Sequence, residues 1–554
     1  MTDGLGLEGA YGETLSRIKG QGKEGSMLAM AVLMWISHAK RPLKADELCH
    51  ALGVEIGSAD LDGDNIPPIA TILACCQGLV VVDKEASTVR LIHFTLQEYL
   101  KAHCEPFDRP HARMAETCLS HLNSRQIKAL SGSSSPNLRD TPFLEYSSLY
   151  WGVHAKGDLS DCAKELALKL FGDYGNDISK RVLMEGYDWV FDYGGYPLFT
   201  GLHCASFFGI VEVVAFLVEV EGCEINQLDT SGATPLTWAA RNGHEGVVKL
   251  LLGRDDVEPD KPDNWGQTPL ACAASNEHVG VVERILRRGD VKPDQLMNLR
   301  GHNQTLLWWA ANNGHERVVE ILLGRDDVEP DKPDIDGQTP LWCAASNGQE
   351  GVVKLLLGRG DVNPNKPDNE GQTPLACAAS YGREGVVKLL LGRDDVNPDR
   401  LDKGGKTPLS SAPSNGHTRV VKILVAREDV NPDQLIGNGE TVLFWAATRG
   451  HEEVVKILLG WDGISPDKPD TNGRTPLLGR ADVDPSKPDN HGQTPLWWAA
   501  RNGHTVVVKI LLGRDDANPD KPDNYGRTPL WIAAFYGQEG AVKILLGLAD
   551  GSPN

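Results

Sequence analysis

The sequence lacks the patterns that mark several common classes of protein. Basic residues are too few for a protein that binds nucleic acid or an anionic membrane, because 55 Lys and Arg face 76 Asp and Glu, a formal net charge of −21. No Cys-x-x-Cys pair occurs among the 11 cysteines, which favours reduced thiols and a cytoplasmic protein. The longest apolar run, residues 27–36, is too short to span a bilayer, and no signal peptide is expected.

Motifs of catalysis and cofactor binding are missing too. The sequence has no His-Glu-x-x-His or Gly-x-Ser-x-Gly, and no Gly-x-Gly-x-x-Gly follows a predicted strand. A phosphate-binding loop needs Gly-x4-Gly-Lys-Ser/Thr, and the nearest string, which ends at Thr407, has Arg400 where the first Gly belongs. We therefore expect no enzyme activity, no cofactor and no small-molecule substrate.

A zinc site is the metal-binding alternative that the sequence offers. Its candidate ligands lie in one short segment: His103, Cys104, His111, Cys118 and His121. Their spacing matches no established zinc pattern, so we expect no bound metal.

One segment of the chain returns many times, and residues 494–514 show it most clearly. Thr494 is suited to cap a helix, Pro495 to begin it, and Gly503 to take the left-handed conformation that ends it before a second helix. Two helices this short need neighbouring copies to bury their apolar faces. The capping Thr recurs, mostly every 34 residues, at Thr200, Thr234, Thr268, Thr305, Thr339, Thr373, Thr407, Thr441, Thr475, Thr494 and Thr528.

The repeated pattern is Thr-Pro-Leu-x-x-Ala-Ala, then Gly-His, Val-Val-x-x-Leu-Leu, Asp-Val-Asn and Asp-x-x-Gly. It resembles the ankyrin consensus over roughly the last two thirds of the chain. The resemblance implies a mainly α fold, an ankyrin-repeat solenoid that binds other proteins. The usual His after Pro-Leu remains only as His203, so we expect a weakened row of hydrogen bonds between repeats.

The spacing of the repeats changes at two places. The repeat at Thr475 is followed by the next capping Thr after 19 residues and lacks both helices. Because each repeat contacts only its neighbours, we predict a seam there. The predicted blocks are 196–474 and 494–548, separated by a truncated repeat at 475–493. Three extra residues near 296–302 predict a longer finger.

Ankyrin arrays generally bind through the finger tips and the outer face of the first helix. Carried onto this sequence, those positions hold aromatic residues flanked by Arg and Asn, which is typical of binding hot spots. The finger candidates are Trp265, Ile335, Asp336, Glu370, His491 and Tyr525. The helix candidates are Arg241, Asn242, Asn312, Asn313, Tyr381, Arg449, Arg501, Phe535 and Tyr536.

Two further features of the repeats have structural interpretations. One inner position, two residues after the Leu of each repeat, holds tryptophans that we expect in the core: Trp238, Trp309, Trp445 and Trp498. The connectors, such as residues 254–263, are acidic. They serve either as an acidic ridge for a basic partner or to keep a long solenoid in solution.

The segment before the repeats predicts a winged helix over residues 10–105. Helices are expected at 28–38, at 44–52, from residue 67 and at 96–100, with a hairpin at 80–93. The third helix, at the place of a DNA-recognition helix, has no Lys or Arg over residues 67–76, so DNA contact is not expected.

Residues 35–48 and 91–100 resemble the winged helix that follows the NACHT nucleotide-binding module of fungal and animal receptor-type signalling ATPases. Within that resemblance, His93 corresponds to a histidine that contacts bound ADP when the module is present. Within residues 106–195, the segment 146–154 resembles the helical bridge that joins winged helix and ankyrin array in fungal NACHT proteins, so the whole segment is expected to be that bridge.

Two interpretations of function remain open at this point. The chain is the ligand-sensing ankyrin arm of a NACHT/STAND-type signalling receptor without its own ATPase, or it is a free-standing ankyrin scaffold or adaptor. In both, the partners are other proteins that bind in the ankyrin groove.

Overall fold

The computed structural model describes residues 5–83, 85–102, 107–130, 141–157, 159–172, 178–186, 198–220, 222–299, 302–414, 417–437, 439–448, 451–461, 464, 488–513 and 518–547. The chain divides into two compact units, Met1–Val291 and Lys292–Asn554. The first unit holds an N-terminal α/β segment, a group of helices and the first repeats, and the second unit holds the other repeats.

The N-terminal segment is a winged helix, as the sequence predicts. Its elements are α1 Leu5–Lys19, α2 Lys23–His38, β1 Leu43–Lys44, α3 Ala45–Gly53, α4 Ile69–Cys75, β2 Val80–Val82, β3 Thr88–Leu91 and α5 Phe94–Ala102. The strands form an antiparallel sheet in the order β1-β3-β2, with Val80 opposite Leu91 and Leu43 opposite Val89. The apolar helix α2 lies at the centre, with Val32, Leu33 and Trp35 buried.

Two elements of the winged helix were not predicted. Helix α1 buries Tyr11, Leu15 and Ile18, which lie one helical turn apart and were a usable signal. The two-residue strand β1 is too short to show a period, and only its pairing with β3 defines it.

A group of helices follows the winged helix in the first unit. These are α6 Pro110–Asn123, α7 Arg125–Ala129, α8 Leu144–Ala155, α9 Asp161–Gly172 and α10 Ile178–Gly186. Helix α6 packs on α8 and α9, and α8 packs on α10. Two hydrogen bonds involve buried polar side chains of this group: Asn123 Nδ2 donates to the Leu166 carbonyl at 2.8 Å, and His121 Nδ1 lies 3.1 Å from Ser147 Oγ.

The repeats are pairs of short helices. In the first unit they are α11 Gly201–Phe208, α12 Val211–Leu217, α13 Pro235–Arg241, α14 Glu245–Leu252, α15 Pro269–Ser275 and α16 Val279–Leu286. In the second unit they are α17 Leu306–Asn313, α18 Glu316–Leu323, α19 Pro340–Asn347, α20 Glu350–Leu357, α21 Pro374–Ser380, α22 Glu384–Leu391, α23 Pro408–Ser414, α24 Thr418–Val425, α25 Val442–Thr448, α26 Glu452–Leu459, α27 Pro495–Asn502, α28 Thr505–Leu512, α29 Pro529–Phe535 and α30 Glu539–Leu545. Within each unit, the first helix of a pair packs on the first helix of the next.

The ends of the first helices follow the predicted cap chemistry. Thr339 Oγ1 accepts a hydrogen bond from the Trp342 N–H at 3.1 Å, and Thr494 Oγ1 accepts one from Trp497 at 3.2 Å. At the other end Gly503 has φ 73°, the left-handed conformation in which only glycine avoids a steric penalty. The cap residues therefore fix where the chain turns back in each repeat.

The two places of altered spacing have different outcomes. The extra residues of the third repeat form a hairpin, β4 Met297–Leu299 paired with β5 His302–Gln304, which confirms the longer finger. Most of the truncated repeat, residues 475–487, lies outside the described residues, so the domain boundaries stay a prediction. Helices α25 and α27, on either side of it, contact each other.

Candidate protein-binding surface

Hydrogen bonds of one kind join several repeats to the one before them. Arg359 pairs with Asp361 through two bonds, at 2.8 and 2.6 Å, and its Nη1 donates to the Leu323 carbonyl at the end of the preceding second helix. This pairing holds the pKa of Asp361 below its ordinary value. The same Arg-x-Asp pair recurs at Arg254, Arg288, Arg325, Arg393 and Arg427. One acid of each of these connectors is thus neutralised within the chain.

A second row of hydrogen bonds corrects an expectation from the sequence. His203 Nε2 lies 3.2 Å from the Ala233 carbonyl, directly before the next capping Thr. Trp342 Nε1 donates to the equivalent Gln372 carbonyl at 3.0 Å, and Trp497 Nε1 donates to the Arg527 carbonyl at 3.1 Å. At these two positions the indole N–H replaces the imidazole donor. The row is therefore not weakened there, contrary to the expectation that loss of His removes it.

The inner tryptophans are mostly core residues. Trp238 is 3% exposed and its Nε1 donates to Asp229 Oδ2 at 2.8 Å, and Trp445 is also buried. Trp309 and Trp498 are half-buried. Trp309 and Trp445 stack on the His directly before the second helix, with centroids 5.0 and 5.2 Å apart. The prediction holds for Trp238 and Trp445, while the other two reach the surface.

The predicted finger residues lie at the surface. The exposed set is Trp265, Ile335, Asp336, Glu370, His491 and Tyr525. An aspartate shapes most of the described fingers, as in one where Asp368 Oδ1 accepts the N–H groups of Glu370 and Gln372 at 3.0 and 2.8 Å. Adjacent fingers are joined through the backbone, where Asn369 N–H donates to the Asp336 carbonyl at 2.8 Å. The tips therefore form a continuous edge across neighbouring repeats.

The predicted helix residues divide by their environment. Asn313, Tyr381, Phe535 and Tyr536 are exposed, Arg241, Asn242, Asn312 and Arg501 are half-buried, and Arg449 lies outside the described residues. The amides of Asn242 and Asn313 donate to the carbonyls of Trp238 and Trp309, so they close helix ends.

Three of the helix candidates lie together in the last two repeats. Arg501 lies 5.1 Å from the centre of the Tyr536 ring, and Tyr536 contacts Phe535. Three neighbours were missed as candidates: Trp498, Trp531 and Arg527. Trp531 is 47% exposed although it occupies the slot that Trp342 buries, so position in the repeat alone does not reveal it.

The winged helix carries its own concave site. A cavity of about 580 Å³ is lined by α2, the sheet and the start of α5, and Arg41, Arg90, His93 and the exposed Phe94 are among its residues. His93 Nδ1 lies 2.8 Å from Thr95 Oγ1 and accepts the Thr95 N–H at 3.3 Å, which caps α5. His93 is thus both a capping residue and a wall of the cavity.

The zinc alternative gains no support from the geometry. Cys118 and His121 are buried, burial lowers the pKa of His121 to about 3, and His111 Nδ1 lies 2.8 Å from His154 Nδ1. His103 and Cys104 lie outside the described residues. In the part of the chain that the structure describes, no three His, Cys, Asp or Glu side chains form a metal-binding group.

Comparisons with known proteins identify both parts of the chain. Overlapping matches to the family model of ankyrin repeats (3 copies) run from residue 162 to 554, well over half of the sequence. Residues 17–108 match the model of the GPI inositol-deacylase winged helix domain. None of the curated proteins compared matches this chain. No helix among the described residues has the length and apolar character needed to cross a membrane.

Three solved structures are similar to the chain. The ankyrin repeat domain of Bcl-3, from the IkappaB protein family, is 28% identical over 40% of this chain and 96% of that one, with a TM-score of 0.36. The human ASB11 ankyrin repeat domain is 26% identical over 40% and 96%, with a TM-score of 0.35. The third structure is the predatory endopeptidase Bd0816 of Bdellovibrio bacteriovorus in complex with the immunity protein Bd3460. It is 27% identical over 35% and 97%, with a TM-score of 0.32.

Proposed function

Because this chain belongs to the ankyrin-repeat family, we propose that its repeats are the ligand-sensing arm of a NACHT/STAND-type signalling receptor. The repeats are a protein–protein interaction module. The sequence carries no phosphate-binding loop, so in this proposal these residues bind the ligand and do not hydrolyse nucleotide. The partners are proteins, bound at the finger and helix residues given above, and the place of action is the cytoplasm.

The observation that carries the proposal is continuous packing from the winged helix to the first repeat. The Lys40 N–H donates to Tyr146 Oη at 3.1 Å, and the Trp35 ring meets the Phe143 ring edge-on at 5.6 Å. These contacts join the winged helix to the helices that follow it. A free-standing scaffold, in which the N-terminal segment acts independently of the repeats, would not require these contacts.

The same helices also hold the first repeat. Gly152 of α8 lies directly against the Phe208 ring of α11, and Trp151 meets that ring at 5.2 Å. Phe171 of α9 packs in the same way against Gly201. Packed side chains of this kind transmit a displacement, because cores deform little. Binding at the repeats is therefore expected to change the environment of the winged-helix cavity.

The test uses an ADP-loaded NACHT module, expressed separately from a protein that carries a winged helix of this type. We expect this module to bind the full chain, measured by calorimetry, and its ADP to dissociate about tenfold faster with His93→Ala. Arg125→Ala, an exposed change outside the cavity, is the control. Absence of association, or an ADP off-rate that His93→Ala leaves unchanged, would favour the free-standing scaffold.

A further inference from the structure

The first helices of two repeats carry an arginine at the same place, with different surroundings. In the first unit, Arg241 lies over the Trp238 ring, 4.8 Å from its centre. Its Nη2 is 3.1 Å from Oδ2 of Asp263, a fully buried carboxylate at the base of the next finger. The charge of Arg241 is thus neutralised inside the protein.

In the second unit, Arg501 occupies the equivalent place, since both arginines lie seven residues after the capping Thr. Its guanidinium lies 5.0 Å from the centre of the Trp498 ring. The equivalent finger carboxylate, Asp523, is paired with Arg527 instead, at 2.7 Å. Among the described residues, no carboxylate lies within ion-pair distance of Arg501.

The difference arises from one residue of the last finger. Arg527 stands where other fingers have a glutamine: Gln267, Gln338, Gln372 and Gln493. Its Nε donates to Asp523 Oδ2 at 2.8 Å, and its guanidinium lies over the Tyr525 ring. Replacement of Gln by Arg therefore occupies the carboxylate that would otherwise pair with Arg501.

Aromatic rings surround the uncompensated arginine. Tyr536 stands at the position of Asn276 in the first unit, and its ring centre is 5.1 Å from the Arg501 guanidinium. Phe535 is 67% exposed and stacks on Trp531, with centroids 5.1 Å apart and planes 11° from parallel. We name this surface the Arg501 patch; it consists of Trp498, Arg501, Trp531, Phe535 and Tyr536.

We infer that the Arg501 patch binds an acidic peptide segment of a partner protein, in which a carboxylate neighbours an aromatic or large apolar side chain. Two rings hold the guanidinium in one orientation, so little entropy is lost when its planar fork takes a carboxylate. The exposed Phe535 and Trp531 rings supply the apolar contact beside it. The whole chain has a net charge of −21, and of the two candidate arginines that the structure describes, Arg241 is paired with Asp263 while Arg501 has no carboxylate at ion-pair distance. An acidic segment is therefore expected to be attracted to Arg501.

The inference deepens the proposed protein-binding function and is tested with a synthetic probe. The probe is a fluorescein-labelled peptide of alternating Asp and Phe residues with an amidated C-terminus, and its binding to the full chain is followed by fluorescence anisotropy. Matched peptides replace Asp by Lys or Phe by Gly. We expect the Asp/Phe peptide to bind at least about tenfold more tightly than either. Equal binding of the Lys/Phe peptide would overturn the inference.

Substitutions locate the binding within the chain. Arg501→Gln is expected to weaken binding about tenfold, whereas Arg317→Gln, an equal change of charge on an exposed second helix, leaves it unchanged. Arg527→Gln restores the residue of the other fingers and frees Asp523 to pair with Arg501. We expect the same tenfold loss, even though Arg501 is still present.

The double change Asp523→Asn with Arg527→Gln removes the competing carboxylate. Binding is then expected to return to within about threefold of the original chain. Binding that survives Arg501→Gln, or fails to recover in the double variant although circular dichroism shows a folded chain, would refute the inference. These assays do not involve the winged helix. Failure of the NACHT-module experiment would leave them standing, and their failure would leave that experiment standing.

Discussion

Asp331→Asn is expected to stabilise the second unit at pH 7. Asp331 Oδ2 accepts the Asn363 N–H of the next repeat at 2.7 Å, but its Oδ1 is buried without a hydrogen-bond partner among the described residues. Burial raises the pKa of this carboxyl. Asn365 occupies the same place one repeat later and satisfies both atoms: Oδ1 accepts the Asn397 N–H at 2.8 Å, and Nδ2 donates to the Asp395 carbonyl at 2.6 Å.

The magnitude follows from these contacts. The new amide gains one hydrogen bond, to the Asp361 carbonyl, of about 1 kcal/mol, and removes an unpaired oxygen that costs roughly 1–3 kcal/mol at full burial. About 1 kcal/mol, the low end of that second amount, applies because the charge of Lys366 partly compensates the Asp331 carboxylate. A neutral acceptor for Asn363 is weaker than a charged one by about 1 kcal/mol. The expected net gain is about 1 kcal/mol in the free energy of unfolding.

The assay is urea unfolding of the full chain, followed by circular dichroism at pH 7 and pH 4. Because the folded-state pKa of Asp331 is raised, its protonated form is favoured on folding, and that stability is lost as the pH rises through the folded pKa. A protonated carboxyl can also donate to the carbonyl, so the advantage of Asn should shrink at pH 4.

The matched control is the reverse change at the natural amide. Asn365→Asp is expected to destabilise by about 1 kcal/mol at pH 7, since it recreates the unpaired oxygen. A lower urea midpoint for Asp331→Asn, or an effect of equal size at both pH values, would refute the reasoning.

Three further outcomes are expected. The free energy of unfolding of the first unit should fall by roughly 1–2 kcal/mol for each of His121 and His154 between pH 6.5 and 5. Burial lowers both folded-state pKa values to about 3, while the same histidines become protonated in the unfolded chain. A urea midpoint that does not fall on acidification would contradict this. Gly152→Ala should lower the free energy of unfolding of the first unit by about 3 kcal/mol, because the added methyl meets the Phe208 ring. Thermal unfolding measures the change, and Gly172→Ala, at a helical glycine with open space around it, is the comparison. Arg359→Ala should lower the urea midpoint by the equivalent of about 1–2 kcal/mol, through loss of its bond to the Leu323 carbonyl, and a midpoint like that of Arg317→Ala would count against it.

Local chemistry made the helix pairs and the winged helix predictable. Thr caps, Pro at the first position and left-handed Gly act within a few residues of themselves, so the sequence pattern alone places the helix ends. The donors between repeats were harder to predict, because Trp342 replaces a His of different shape and still reaches the Gln372 carbonyl. Which side chain can donate to that carbonyl depends on how the two repeats stack, and the sequence of a single repeat does not show this.

The Arg501 patch shows why the binding surface was only partly predictable. Arg501 and Arg241 have the same residue type and the same place in the repeat, yet only Arg241 has a counter-ion. The cause is Arg527 of the next finger, which pairs with the carboxylate that corresponds to Asp263. The Arg-x-Asp pairs recur at a regular spacing in the sequence, but the spacing does not show that the two side chains pair with each other.

The Arg-to-carbonyl and Trp-to-carbonyl bonds have a consequence for how such genes change. Because the repeats at Arg359, Arg393 and Arg427 meet the preceding repeat through the same donor and the same kind of acceptor, a segment of 34 residues duplicated or lost there by unequal crossing-over would form a junction of the same kind. Array length can then vary between generations at little risk to folding, while point changes such as that at Arg527 alter what one position recognises. Variants that bind new ligands can therefore arise while the fold is retained.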